Sequence, residues 1–168
     1  MVKKDKKATA AIQIDDGMRR VPIENMVGQE VGVFYFRPSD IGILERYEKM
    51  LPQFDEILKP LENVSIGRDG EAADPADTET VEVLREATKK INDLLDELFD
   101  GNFSEAFFGK MHPFSPVNGR FYCENALEAV GGFISKQFKR EVNKINARVS
   151  KYTHGYKSRT GKHKNGKK

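Results

Sequence analysis

Short alternating segments near the N-terminal end of the chain predict a small β-sheet. Residues 8–37 contain the runs AIQI, RRVPI and EVGVFYF, where hydrophobic and polar residues alternate or β-branched and aromatic residues cluster. The Asp16–Gly17 pair after the first run is typical of a two-residue hairpin turn. Because Pro22 has no N–H group to donate, its strand is expected at an edge. The pattern predicts an antiparallel β-meander over residues 8–37, with a helix covering one face of the last strand.

The next segment repeats hydrophobic residues at steps of three and four, which is the spacing of one helix face. This helix is expected to begin near Pro38, since proline is favoured at the first helical position, and to end at Pro60. Pro52 lies inside the pattern and should kink or divide the helix near Met50. The predicted buried stripe comprises Ile41, Leu44, Tyr47, Leu51, Phe54, Leu58 and Leu61.

A second helix is predicted from Pro75 or Thr78 to Phe99. The same three-and-four spacing continues through it, and Gly101 is a typical C-terminal stop. Its hydrophobic stripe comprises Val81, Leu84, Thr88, Ile91, Leu95 and Leu98.

The last predicted helix spans about Tyr122 to Lys151 and carries the longest stripe. Gly131 and Gly132 weaken its middle by roughly 1–2 kcal/mol relative to two alanines. Close approach of another helix and a simple bend are two explanations for this pair. The stripe comprises Leu127, Val130, Ile134, Phe138, Val142, Ile145 and Val149.

Residues 102–125, between the second predicted helix and the last one, are rich in phenylalanine. A short helix is predicted at Ser104–Phe108, with Ser104 as its cap and Gly109 closing it. The phenylalanine rings of this connector are expected to plug the end of the helical bundle, and an exposed docking patch is the alternative. They are Phe103, Phe107, Phe108 and Phe114.

Together these elements predict an α+β fold. A small N-terminal β-meander or hairpin packs on a bundle of about three helices. The predicted single domain covers residues 8–150, with the helical part at 38–150 and an acidic loop at 65–77. Residues 1–7 are predicted to form a flexible basic N-terminus, and residues 151–168 a disordered basic tail, since they hold too few hydrophobic residues to fold alone.

The distribution of charge is far more uneven than the net charge of +2 indicates. Residues 38–128 hold 20 Asp and Glu against 9 Lys and Arg, a balance of −11. Residues 136–168 hold 12 Lys and Arg against the single acid Glu141, a balance of +11. The chain is therefore an acidic body with a basic C-terminal end, and each part favours different partners.

The sequence contains no group of residues that would form an active site. Cys123 is the only cysteine, which excludes an internal disulfide and agrees with a reducing compartment. His112 is the nearest candidate partner for a zinc site or a nucleophile pair, but no other residue completes either site. The acids Asp93, Asp96, Glu97 and Asp100 are interpreted as a solvated helix face rather than a general acid/base pair. We therefore predict a non-enzymatic protein without metal or cofactor.

Two stretches of the sequence resemble a known family. FYFRPSDIGILERYEKMLPQFDEIL begins at Phe34, and PFSPVNGRFYCENALEAVGGFI begins at Pro113 and is followed by a helix and a basic YTHGYK end. In these stretches the chain resembles the tail assembly chaperones of long-tailed, siphovirus-type phages and prophages of Gram-positive bacteria. The resemblance covers roughly residues 28–157 and consists of core and turn residues rather than a catalytic signature.

The resemblance implies an assembly factor for virion morphogenesis. Such a protein would act in the host cytoplasm, bind the tape measure protein, promote tail-tube assembly around it, and be absent from the mature virion. Its predicted partners are the tape measure protein and the tail-tube protein, with a second copy of the chain as a further candidate. Neither a membrane nor a small-molecule substrate is expected.

The residues predicted to contact a partner fall into two groups. The first is the phenylalanine group Phe103, Phe107, Phe108 and Phe114. The second is the set of basic residues on the last helix, Lys136, Lys139, Arg140, Lys144 and Arg148. An alternative function follows from the second group, since a basic helix and tail with tyrosines are typical of a small nucleic-acid-binding protein.

Overall fold

The computed structural model describes residues 10–62 and 78–160, and it has an α+β fold built on a two-stranded antiparallel hairpin and several helices. The predicted N-terminus at residues 1–7, the acidic loop at 65–77 and the last part of the tail at 161–168 lie outside the described residues. The elements are β1 (Arg19–Glu24), β2 (Glu30–Phe36), α1 (Gly42–Glu62), α2 (Thr78–Phe99), α3 (Phe103–Phe108), β3 (Pro116–Val117), β4 (Arg120–Phe121) and α4 (Tyr122–Thr160).

The N-terminal sheet is a hairpin of β1 and β2, with Arg19 opposite Phe36. The connecting turn is organised by Asn25, whose side-chain oxygen accepts hydrogen bonds from the N–H groups of Val27 and Gln29 at 3.1 and 2.9 Å. Gly28 in this turn has a φ of +82°, a conformation that glycine adopts without strain. The sequence indicated these two strands correctly, and the turn that joins them lies after Glu24.

The predicted first strand of the meander is wrong. Residues 11–14 form no strand, and Ile12 is 97 % exposed. The Asp16–Gly17 pair does form a local turn, since Asp15 and Asp16 accept hydrogen bonds from the N–H groups of Gly17 and Met18. Because residues 11–14 bury no hydrophobic surface, their alternating pattern has no core to stabilise a third strand.

Helix α1 differs from its prediction in its bounds and in its buried face, and it is not divided at Pro52. It runs as one helix from Gly42 to Glu62 and contains both Pro52 and Pro60. Pro52 is exposed, as is Glu48, so the Glu48 carbonyl that loses its helical partner faces solvent. The face that packs in the core comprises Ile43, Met50, Phe54, Ile57 and Leu61. Of the predicted stripe, the exposed members are Ile41, Leu44, Tyr47 and Leu51.

The prediction for α2 is confirmed from Thr78 to Phe99. Its end differs in detail, because Asp100 and not Gly101 takes the left-handed conformation, with a φ of 47°. Gly101 lies against β2 instead. A Cβ atom at this position would come within 2.5 Å of the Tyr35 carbonyl oxygen, so the glycine sets how closely α2 and β2 approach.

The core is centred on an aromatic cluster around Phe34. Its ring stacks on Phe36 at a centroid distance of 4.0 Å and meets Phe99, Phe103 and Phe107 edge-on. This arrangement joins β2, α2 and α3, and edge-to-face pairs of this kind add stability beyond the area they bury. The predicted plugging role of the connector is therefore located at the junction of the hairpin and the helices.

Asn102 fastens this junction to β2 through its side chain. Its oxygen accepts a hydrogen bond from the Tyr35 N–H at 2.8 Å, and its amide nitrogen donates to the Val33 carbonyl at 3.0 Å. The amide group thus pairs with β2 as the backbone of a neighbouring strand would. Ser104 does not cap α3 as predicted, since its N–H and hydroxyl both donate to the Asp96 carboxylate, at 2.7 and 2.6 Å.

Helix α4 begins at Tyr122, as predicted, and is helical as far as Thr160. At 1.5 Å per residue, its 39 residues span about 58 Å. The predicted disordered tail at 151–168 therefore begins inside this helix. From Val142 to Lys151 every α4 side chain is exposed, so this part of the helix extends beyond the packed body.

Candidate partner-binding surface

Cys123 is enclosed in the core and cannot act as a nucleophile in this conformation. Its side chain has 0 % exposure, and burial raises the pKa of the thiol to about 12. The His112 ring belongs to a local hydrogen-bond network: its Nδ1 accepts from the Phe114 N–H at 3.2 Å, and its Nε2 lies 3.2 Å from the Thr88 hydroxyl. Partial burial lowers the pKa of His112, which favours the neutral ring.

We expect Cys123 to resist alkylation in the native protein and to react after unfolding. The thiol is enclosed in the core, and because its pKa is raised, only a small fraction of it is in the reactive thiolate form. Mass spectrometry after iodoacetamide treatment, with and without concentrated guanidinium, measures this directly. Labelling of the native protein as fast as the unfolded chain would contradict the buried position.

The acidic residues near the end of α2 have different surroundings. Asp96 is engaged by Ser104, as described above, and Asp93 and Glu97 lie on the exposed side of the helix. No group of three or more His, Cys, Asp or Glu side chains within the described ranges is placed to hold a metal ion.

The predicted phenylalanine contacts are mostly internal. Phe103, Phe107 and Phe114 are buried, and Phe108 is partly buried. The structure therefore favours the burial interpretation of this group over an exposed docking patch. The predicted basic contacts Lys136, Lys139, Arg140, Lys144 and Arg148 are all exposed on α4.

A continuous hydrophobic surface lies where α1 faces α4. Leu44 is 65 % exposed and lines two adjoining grooves with Ile134, one of about 360 Å³ and one of about 580 Å³. The α4 stripe continues with Val142, which lines the smaller groove and is 38 % exposed, and then with Ile145, which is 51 % exposed. We call this surface the apolar track. It comprises Leu44 and Tyr47 on α1, and Leu127, Ile134, Phe138, Val142 and Ile145 on α4.

Two of the three acids that line the grooves of the apolar track are paired with arginines of this chain. Asp40, at one end of the groove, is paired with Arg46 at 2.8 Å, which lowers the pKa of Asp40. Glu128 is likewise paired with Arg120. Lys139 lines the groove without an ion pair to any described side chain. The track thus combines exposed hydrophobic side chains with a basic border.

Gly131 lies in the groove and leaves a gap in its surface. A Cβ atom at Gly131 or at Gly132 would meet nothing within 4 Å, so no other part of the described chain requires either glycine. Close approach of another helix of the described chain therefore does not explain the pair. Gly131 lines the groove, whereas Gly132 lies one residue, or about 100°, further around the helix.

We expect Gly131→Ala and Gly132→Ala each to raise the free energy of unfolding by about 0.5–1 kcal/mol. Both positions are exposed and helical with open space around them, so alanine gains helix propensity without a clash. Urea denaturation followed by circular dichroism measures the change. Destabilisation by either substitution would show that the glycine has a packing role.

The sequence pattern predicts one side of this surface and not the other. The α4 stripe was predicted, but the α1 residues Leu44 and Tyr47 were assigned to the core. The missed signal is the width of the hydrophobic face of α1. Hydrophobic residues at 41, 44, 47 and 51 and at 43, 50, 54, 57 and 61 cover more of the helix circumference than one neighbouring helix buries.

Comparison with known proteins gives no relative for this chain: no family model, no curated protein and no solved structure matches it. Among the described residues, no helix is both long enough and hydrophobic enough to cross a membrane.

Proposed function

We propose that the protein is a non-enzymatic tail assembly chaperone of a siphovirus-type phage. In this proposal it binds the tape measure protein in the host cytoplasm, keeps it soluble and promotes assembly of the tail-tube protein around it. The sequence resemblance of residues 28–157 supports the choice of this family. The apolar track is the single structural observation that supports a binding role.

The extent of the track is what favours a helical partner. Hydrophobic side chains recur on α4 from Leu127 to Ile145 at helical spacing, and the adjoining α1 residues form the other wall of a groove. Helices with one hydrophobic face bind in grooves of this kind through side chains at three- and four-residue intervals. Contiguous exposed hydrophobic surface is also unfavourable in water unless a partner covers it.

The proposed function is tested by co-expressing the chain with the tape measure protein of the same phage. We expect a large increase in the soluble fraction of the tape measure protein and co-purification of the two chains. A tape measure protein that is equally soluble alone would contradict the chaperone role.

A matched pair of variants connects this result to the track. Val142→Asp places a charge on the track, whereas Val81→Asp makes the same change on α2 at a side chain of similar exposure, 43 % against 38 %. We expect the first variant to lose most of the solubilising effect and the second to retain it. Equal loss in both would indicate general damage to the protein rather than a specific surface.

The second candidate function is nucleic-acid binding through the basic face of α4. The exposed Lys136, Lys139, Arg140, Lys144 and Arg148 favour it, since phosphate binding depends on such clusters. Gel-shift titration against salt is the test. Binding by phosphate neutralisation must weaken steeply as salt rises, and the absence of a shift at low salt would exclude this function.

A further inference from the structure

We infer that the apolar track binds an acidic amphipathic helix, with the acidic residues of that helix lying along α4. The inference rests on the proposed chaperone function for the identity of the protein that supplies the helix. Its chemistry is argued from the track itself.

Both flanks of the α4 stripe carry positively charged side chains. At 100° per residue, Lys139 lies on one side of the line through Phe138, Val142 and Ile145, and Lys144 and Arg148 lie on the other. Glu141 is the only acid in this half of the helix, and Lys144 pairs with it at 2.9 Å. Neither Lys139 nor Arg148 forms an ion pair with a described side chain. Each can therefore pair with a carboxylate that a partner brings.

Most acids near the groove are already paired with cations of this chain. Asp40 and Glu128 are already paired with arginines of this chain, and Glu45 on α1 pairs with Lys49 at 3.0 Å. Two acids beside the groove form no ion pair with a described side chain: Glu48, exposed on α1 next to Tyr47, and Glu124, which lines the groove at the start of α4. The field over the track is thus positive along the part of α4 from Phe138 to Arg148 and weaker along α1 and the start of α4. This places the acidic flank of the partner next to α4.

The same charges disfavour a second copy of this chain as the occupant. Pairing two α4 stripes face to face would bring Lys139, Lys144 and Arg148 of both copies to the same interface, where like charges repel. An acidic helix from another protein meets no such repulsion. Gly131 adds room for its backbone, because the groove has no side chain at that point.

The test uses two labelled synthetic peptides of about 20 residues, a length at which amphipathic helices become marginally stable. Both carry the same leucines at three- and four-residue spacing on an alanine background, with glutamate at the flanking positions in one and lysine in the other. Fluorescence anisotropy with the full chain measures affinity. We expect the acidic peptide to bind about tenfold tighter at low salt, and the difference to shrink at about 0.5 M salt. Equal affinity, or preference for the basic peptide, overturns the inference.

Variants locate the binding on the track. The triple change Lys139→Glu, Lys144→Glu and Arg148→Glu is expected to reverse the preference, whereas Lys136→Glu with Arg140→Glu, on the opposite face of α4, is expected to preserve it. Gly131→Leu is expected to weaken peptide binding about tenfold, and Gly132→Leu to leave it unchanged. Loss of preference in the control pair alone would place the site elsewhere and overturn the inference.

A nucleic-acid duplex is included as a competitor, since it too would be attracted to α4. Val142→Ser with Ile145→Ser removes hydrophobic contacts and retains charge, so it should weaken the acidic peptide and spare any duplex binding. Peptide binding that survives this change and is displaced by the duplex would overturn the inference in favour of a simple polyanion surface. Failure of the tape measure protein to become soluble, with the peptide preference intact, would overturn the proposed function and leave the helix chemistry standing.

Discussion

Replacing Phe34 with alanine is expected to lower the free energy of unfolding by about 3–5 kcal/mol. The side chain is 1 % exposed and contacts four other aromatic rings from β2, α2 and α3. Alanine would leave a cavity at the junction of these elements, and rings held by edge-to-face contacts on several sides cannot all collapse into it. A loss of this size is a large share of the 5–15 kcal/mol stability typical of a domain.

The measurement is urea denaturation of the variant followed by circular dichroism. Tyr35→Ala is the matched control, since the neighbouring ring is aromatic, lies on the same strand and is 46 % exposed. We expect it to cost less than about 1 kcal/mol. Phe34→Leu retains most of the volume and should fall between the two, which keeps the prediction testable if the alanine variant does not fold. Equal effects of Phe34→Ala and Tyr35→Ala would contradict the central position of Phe34.

Gly32→Ala is expected to destabilise the protein by about 1–3 kcal/mol, or more if the backbone cannot move. A Cβ atom at Gly32 would lie 2.0 Å from the carbonyl oxygen of Ala106, inside the distance at which the atoms overlap. The obstacle belongs to the backbone of α3, so no side-chain rotation relieves it. Either β2 or α3 must shift, and the shift would disturb the stacked Phe103 and Phe107 rings.

Gly131→Ala provides a comparison of opposite sign. Both substitutions add one methyl group, but open space surrounds Gly131 and a backbone oxygen faces Gly32. Thermal unfolding should show a lower midpoint for Gly32→Ala and a higher one for Gly131→Ala. A Gly32→Ala protein as stable as the parent would show that β2 and α3 do not approach as closely as described.

Several features of the fold follow from local sequence. The strands RRVPIE and EVGVFYF, the helix Thr78–Phe99 and the start of α4 at Tyr122 were each predicted from spacing and from turn or stop residues. These signals work because they depend on backbone preference and on which face of one element is hydrophobic. The strand prediction for the AIQI segment was wrong because its pattern fits a strand but no core surface lies beside it.

Only the α4 side of the apolar track could be predicted from the sequence. The α4 stripe and its basic residues are visible in the sequence, because the helix is long and its two faces differ strongly. Whether Leu44 and Tyr47 are buried or exposed depends on where α2 and α4 lie around α1, and spacing along one helix carries no such information. Pro52 does not divide α1 for a related reason, since Glu48, whose carbonyl loses its helical partner at Pro52, lies on the exposed side of the helix.

The α+β class, most of the elements, the acidic body and the basic helix can thus be read from the sequence, which contains no recognisable catalytic motif. The tertiary structure sets which hydrophobic faces remain open. It placed Phe103, Phe107 and Phe114 inside and left Leu44, Val142 and Ile145 outside. The physical reason is that hydrophobic side chains are equally favourable to bury at many positions, and the number of neighbouring elements that can reach each face decides which of them are covered.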